Sequence, residues 1–318
     1  MKRNRSALLG GLGALLLQVG ACSGAPNASV AAPPNPIDTP LIGSAITASA
    51  EPSDASDISA GPADASPTSP AGASPTIAST VASTAPSLLP PGPLTIAALG
   101  DSLTEGQGDD SGRGGYPGRL ETLIDPLRPG TRIVNLGHSG WSSGDIINGT
   151  NGEPAELARA IAARPTVALV WVGSNDLWYL YEFGPEPMTD DAERRDLQTY
   201  EANLDRILGE LTGHGIRVFI ALLDDQSKRP VVVAPNPTEP AFPATTRADL
   251  ARMAVHVKAY NEIIGRKAAQ CGAVTVDFFG TAIFTDAATL YGDGNHPNSD
   301  GYDLVAQVWF KAIGPLLK

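Results

Sequence analysis

The stretch Leu94-Thr95-Ile96-Ala97-Ala98-Leu99-Gly100-Asp101-Ser102-Leu103 decides the fold. Its first six residues form an apolar run broken only by Thr95, and the run stops abruptly at Gly-Asp-Ser. A continuous apolar run, in place of strict alternation, marks a strand covered on both faces, the usual state in a parallel sheet. Gly100 relaxes the backbone where the strand gives way to a helix, so the Ser102 hydroxyl is presented at the sheet edge.

Four more runs rich in Val, Ile and Leu follow, at residues 132–136, 167–172, 216–222 and 273–278. Helical spacing of apolar residues occupies 117–124, 154–163, 197–211 and 247–270, and 301–317 closes the chain. Strands alternating with helices predict an α/β domain: a parallel five-stranded sheet with helices on both faces. In such sheets, sites form beyond the carboxyl ends of the strands. The first three runs lead directly into small polar motifs: Gly100-Asp101-Ser102-Leu103, Asn135-Leu136-Gly137-His138-Ser139-Gly140 and Gly173-Ser174-Asn175-Asp176. A fourth, Asp293-Gly294-Asn295-His296-Pro297, precedes the closing helix and can fold back over that edge.

These motifs contain what acyl transfer needs: a nucleophile, an oriented base and donors for a developing oxyanion. Ser102 is the candidate nucleophile and His296 its base, because imidazole exchanges protons near neutrality. Asp293, three residues before His296, is close enough in one turn to orient the ring and stabilise its cation. The oxyanion donors are the backbone N–H groups of Ser102 and Gly140 and the side-chain amide of Asn175. Asp101 and Asp176 read as structural, holding loops through side-chain-to-backbone hydrogen bonds. If His296 is the base, activity falls as acid protonates it.

Taken in order, Gly100-Asp101-Ser102-Leu103, Gly140, Gly173-x-Asn175-Asp176 and Asp293-x-x-His296 resemble the conserved blocks of SGNH/GDSL hydrolases. The resemblance spans residues 94–318, and no block departs from the family pattern. It implies a flavodoxin-like three-layer α/β/α fold, no cofactor, and hydrolysis of carboxylic or thio esters. Each motif alone is weak evidence; their order and their placement at strand ends carry the reading. The residues around Ser102, Gly100-Asp101-Ser102-Leu103-Thr104, do not match Gly-x-Ser-x-Gly, the nucleophile elbow of α/β-hydrolases.

Composition narrows the partners. Asp and Glu number 34 against 22 Lys and Arg, a formal charge of −12. Nucleic acid is an unsuitable partner, because phosphate binding rests on clustered Lys and Arg. Two cysteines, Cys22 and Cys271, are too few for a disulfide framework, and Cys271 reads as a small buried hydrophobe. His138, His214 and His256 read as surface or packing residues, and no structural metal site is expected. A small-molecule, glycan or lipid ester is the expected substrate, and a monomer the expected state.

Residues 1–21 combine Lys2, Arg3 and Arg5 with an apolar stretch too short to span a bilayer, the pattern of a secretory signal. The end, Val19-Gly20-Ala21-Cys22, resembles a bacterial lipobox, which implies lipid on Cys22 and attachment to the cell envelope. Ser23 in place of Asp implies the outer membrane where there are two. Residues 22–92 are mainly Ala, Pro, Ser, Thr and Gly, which predicts a disordered tether with a mean reach of about 45 Å. The folded domain is then expected over 93–318.

Trp178 and Tyr179 beside the third motif, and Trp141 beside Gly140, read equally as pocket wall or as packing. The Pro-rich segment 228–246 reads as a surface insertion or as a lid at the catalytic edge. The same fold used only to bind a glycan or a protein is the competing reading, disfavoured by the intact set of catalytic groups.

Overall fold

The computed structural model describes residues 88–236, 238 and 240–318. The expected signal, the lipidation site at Cys22 and nearly all of the expected tether lie outside the described residues. Five parallel strands form one sheet: β1 (Thr95–Gly100), β2 (Arg132–Asn135), β3 (Val167–Trp171), β4 (Arg217–Leu222) and β5 (Val274–Asp277). Their order is β2-β1-β3-β4-β5, the doubly wound arrangement in which the chain direction reverses beside β1. The central strands are the most apolar ones. All five residues of β3 are buried, whereas β2 and β5, at the edges, are largely half-exposed or exposed.

The helices are α1 (Ser102–Glu105), α2 (Gly115–Ile124), α3 (Ser143–Asn148), α4 (Glu156–Ala162), α5 (Ser174–Phe183), α6 (Asp190–Gly213), α7 (Pro230–Val233), α8 (Arg247–Cys271) and α9 (Ser299–Ile313). Helices α2 and α9 pack together against one face of the sheet, and α4, α6 and α8 cover the other. On the first face Trp171 of β3 meets Tyr116 of α2, Trp309 of α9 and Phe278, with ring centroids 4.1–6.1 Å apart. On the second, Tyr200 of α6 stacks on Tyr260 of α8 at 4.0 Å. Buried aromatic pairs of this kind contribute about 0.5–1.5 kcal/mol beyond the area they remove from water.

Several elements differ from the sequence reading for local reasons. Helix α6 starts at Asp190, seven residues before the first apolar position of its periodic stretch, because Thr189 caps it and its first turn carries Asp190, Asp191 and Glu193. Those acidic residues favour the positive end of the helix dipole. Helices α3, α5 and α7 lie outside the stretches of helical spacing: α3 is six residues with a capping box, α5 overlaps the third motif, and α7 is a single turn inside the Pro-rich segment. The fold also takes in residues assigned to the tether. Leu89 is buried, its N–H donates to the Leu316 carbonyl at 3.0 Å, and Arg128 reaches the carbonyls of Pro90 and Gly92. Cys271 is half-buried at the end of α8, packed on the rim of the core.

Candidate active site

The site lies at the carboxyl ends of β1 and β3, where the sheet order reverses. Asp101 caps α1 by accepting from the Leu103 N–H at 3.0 Å, which leaves Ser102 as the first helical residue at the mouth of a cavity. Gly100 is required here by close approach: a Cβ would lie 2.3 Å from both the Thr104 hydroxyl and the Trp171 carbonyl oxygen.

The last motif folds back as the parallel sheet allows. The Ser102 hydroxyl is 2.9 Å from His296 Nε2, across 194 residues of sequence. On the other side of the ring, Nδ1 lies 2.6 Å from Asp293 Oδ2. An ionised carboxylate only accepts, so Nδ1 carries the proton and Nε2 is left to accept from the hydroxyl. Burial pushes the Asp293 carboxyl up, but hydrogen bonds from the His296 ring and from the N–H groups of His296 and Asn295 outweigh it, and the group is held at about 2. It is therefore ionised at neutral pH.

Gly140 and Asn175 line the same cavity as Ser102 and His296. Asn175 sits in the first turn of α5, and its Nδ2 donates to the Trp141 carbonyl at 2.9 Å. The amide has a second N–H to offer. Asp176, beside it, accepts from the Ser143 N–H at 2.9 Å and so ties α5 to α3. The arrangement joins a hydroxyl, an oriented imidazole and donors around one cavity of about 130 Å³. Among the described residues, no group of three or more His, Cys, Asp or Glu side chains is placed to hold a metal ion.

The aromatic residues divide. Trp178 lines the cavity, stacked on Phe242 at 4.2 Å. Trp141 does not; it is buried and stacks on His138 at 4.2 Å. Tyr179 does not line it either, because its hydroxyl donates to the Gly140 carbonyl at 2.6 Å from behind the turn.

Sequence reasoning missed Arg229, Phe242 and Asn295, all in the cavity wall. Two of them come from the Pro-rich segment, and its position after the fourth strand was the available signal. The segment is tied down at both ends. Val231 N–H donates to the Gly294 carbonyl at 3.0 Å, and Glu182 of α5 accepts from the Ala244 and Thr245 N–H groups. Arg229, fully buried, forms a bidentate pair with Asp224 and donates to Asn295 Oδ1 at 2.8 Å.

A buried carboxyl stands behind the nucleophile turn. Glu156 of α4 accepts from the Gly100 N–H at 2.8 Å. Burial, more than the opposing bond from Gly100, raises it from 4.5 to about 9. The group is neutral in the folded protein at pH 7 and ionised in the unfolded chain. Its cost to stability thus begins above the unfolded value and grows until pH reaches the folded one. Glu156→Gln keeps an acceptor for Gly100 and cannot ionise. In urea unfolding, the variant should gain stability relative to the parent between pH 5 and 8.5; parallel curves would contradict this account.

The GDSL-like lipase/acylhydrolase family matches residues 98–304, more than half of the chain. The chain belongs to that family. Ester hydrolysis is the chemistry this membership carries, and the GDSL domain presents its Gly-Asp-Ser block at the cavity mouth. Among solved structures it is similar to LAE5, an alpha/beta hydrolase enzyme from the metagenome of Lake Arreo, Spain. The two are 21% identical over 71% of this chain and 97% of that one, with a TM-score of 0.49. It is also similar to Axe2, an acetylxylan esterase from Geobacillus stearothermophilus, with 22% identity over 70% of this chain and 95% of that one, and a TM-score of 0.49. No curated protein matches the GDSL chain.

Proposed function

We propose that this chain is a serine esterase that cleaves small acyl esters through an acyl-enzyme on Ser102. The observation that carries the reading is the line Ser102–His296–Asp293, with its 2.9 Å and 2.6 Å contacts, opening on a cavity. Ser102 Oγ adds to the ester carbonyl as its proton passes to His296 Nε2, and the Asp293 carboxylate stabilises the imidazolium. The tetrahedral oxyanion accepts from the Ser102 and Gly140 N–H groups and from the Asn175 amide. Collapse expels the alcohol, which takes the proton from His296. Water, deprotonated by the same imidazole, then releases the acid and restores the hydroxyl.

Cavity size sets the acyl group. About 130 Å³ is small against the roughly 300–1,000 Å³ of typical ligand sites, and Trp178, Phe242 and Arg229 close its walls. A cavity of this size suits acetyl to butyryl groups better than long chains. On p-nitrophenyl esters of rising acyl length, kcat/KM should peak between acetyl and butyryl and fall at least about tenfold by octanoyl, since a misfit of even one methylene is worth about 1–3 kcal/mol. A maximum at octanoyl or longer would rule out the small-acyl pocket.

The basic, apolar and small-residue order of residues 1–22 supports a second part of the proposal, attachment to the cell envelope through lipid on Cys22. Incorporation of labelled palmitate by the parent, and none by Cys22→Ser, is the expected result; equal labelling would exclude Cys22 as the site.

A further inference from the structure

Contacts from two helices converge on the turn at residues 137–141, which carries Gly140. From α5, Tyr179 donates its hydroxyl to the Gly140 carbonyl at 2.6 Å, and Asn175 Nδ2 donates to the next carbonyl, that of Trp141, at 2.9 Å. From the end of α1, Glu105 accepts from the Ser139 N–H at 2.9 Å and also from the Ser139 hydroxyl. Gly140 itself stands at φ +80°, where a side chain would be strained, and a Cβ would lie 3.2 Å from the Tyr179 hydroxyl. A glycine in that region has no side chain of its own to lock its peptide planes.

We infer that Tyr179 is a positioning residue for the oxyanion site: by holding the Gly140 carbonyl it fixes the peptide plane after the Gly140 Cα, while Glu105 holds the Ser139 N–H before it, and the Gly140 N–H between these two anchors is restrained toward the substrate. The inference rests on the esterase reading above. A phenol on a helix is a rigid lever with two side-chain torsions, and here it belongs to the helix whose first turn supplies Asn175. Glu105 relates the same turn to α1, whose first residue is Ser102. The three donors, from three separate chain segments, are thereby held as one body. That matters because oxyanion donors act only when fixed within about 0.5 Å of the productive position. Burial, followed by the charges of Asp145, Asp101 and Asp176, pushes the phenol up to about 12, so the hydroxyl remains a donor at working pH.

The test is Tyr179→Phe in the full chain, which removes the hydroxyl and keeps the ring beside Phe183. Loss of one whole donor typically costs about 10²–10³ in kcat, so loosening one should cost about 10- to 30-fold. KM for p-nitrophenyl acetate should stay within about twofold of the parent's. The discriminating readout compares p-nitrophenyl acetate with its thiono analogue. Sulfur is a poor acceptor, so a well-aligned site strongly prefers the oxygen ester, and Tyr179→Phe should shrink that preference by about the same 10- to 30-fold. Glu105→Ala, which frees the turn from its other side, should shrink it in the same direction. Equal losses on both esters would reduce Tyr179 to a packing role, and an unchanged kcat and oxygen preference would overturn the inference outright. A parent that hydrolyses neither ester instead overturns the esterase reading, and this inference with it.

Discussion

Ser102→Ala should lower kcat/KM on p-nitrophenyl acetate by about 10⁴–10⁶-fold while leaving the protein folded. The magnitude follows from the chemistry: without the hydroxyl no acyl-enzyme forms, and only substrate binding and oxyanion stabilisation of water attack remain. Ser102 is half-exposed at the cavity mouth, so removing its oxygen leaves neither a void nor a buried orphan in the core. Its only side-chain bond is the one to His296 among those described. The melting temperature should therefore hardly change. His296→Ala should cost a comparable amount, and the double variant little more than either single one, because groups acting as a unit are not additive. Retention of even a tenth of the activity in Ser102→Ala would remove Ser102 as the nucleophile.

Arg229→Met should destabilise the protein by about 3–5 kcal/mol, the usual cost of removing one partner from a buried ion pair. The Arg229 and Asp224 side chains are 2% and 3% exposed, so Asp224 would be left as an uncompensated buried charge. The guanidinium also sits 4.6 Å from the Phe284 ring centroid, and that contact goes with it. Activity should fall as well, because Asn295, between Asp293 and His296, loses the donor to its Oδ1. The two effects can be separated. Adding Asp224→Asn to Arg229→Met removes the stranded charge and should restore much of the stability measured by urea unfolding. It supplies nothing to Asn295, so the deficit in kcat should persist. If activity returned along with stability, the anchoring of the His296 turn by Arg229 would be excluded.

Much of the fold was legible from residue order because parallel strands buried on both faces leave continuous apolar runs. All five strands stand within a residue or so of the runs that mark them, and Gly100, Gly137 and Gly173 stop the first three where the backbone turns. Helix α8 begins where Thr246 and Asp249 form a reciprocal cap, a local signal, and ends at Gly272 in the left-handed conformation. The start of α6 was illegible because residues 190–196 are mostly charged and show no apolar period. The Thr189 cap and the acidic first turn are its only local marks, and partners far along the chain reinforce it: Arg252 on Glu193 and Asp190, and His256 on Asp196.

The site divides in the same way. Ser102, Gly140, Asn175, Asp293 and His296 announce themselves because each sits in a short polar motif at a strand end or before the last helix, and strand ends of a parallel sheet converge by construction. Their residue types, and so the chemistry open to them, are properties of the sequence alone. The cavity walls are not. Arg229 and Phe242 come from a Pro-rich segment with no periodicity, while Trp141 and Tyr179, which sequence placed as readily in the pocket, do not line it: Trp141 stacks on His138 and Tyr179 holds the Gly140 carbonyl. A side chain's type does not reveal which side of a turn it will meet; that is settled only when α5, the 224–242 segment and the 293–296 turn pack against one another. Residue order thus sets which groups can react, whereas packing sets how far apart they stand and how large a cavity lies between them.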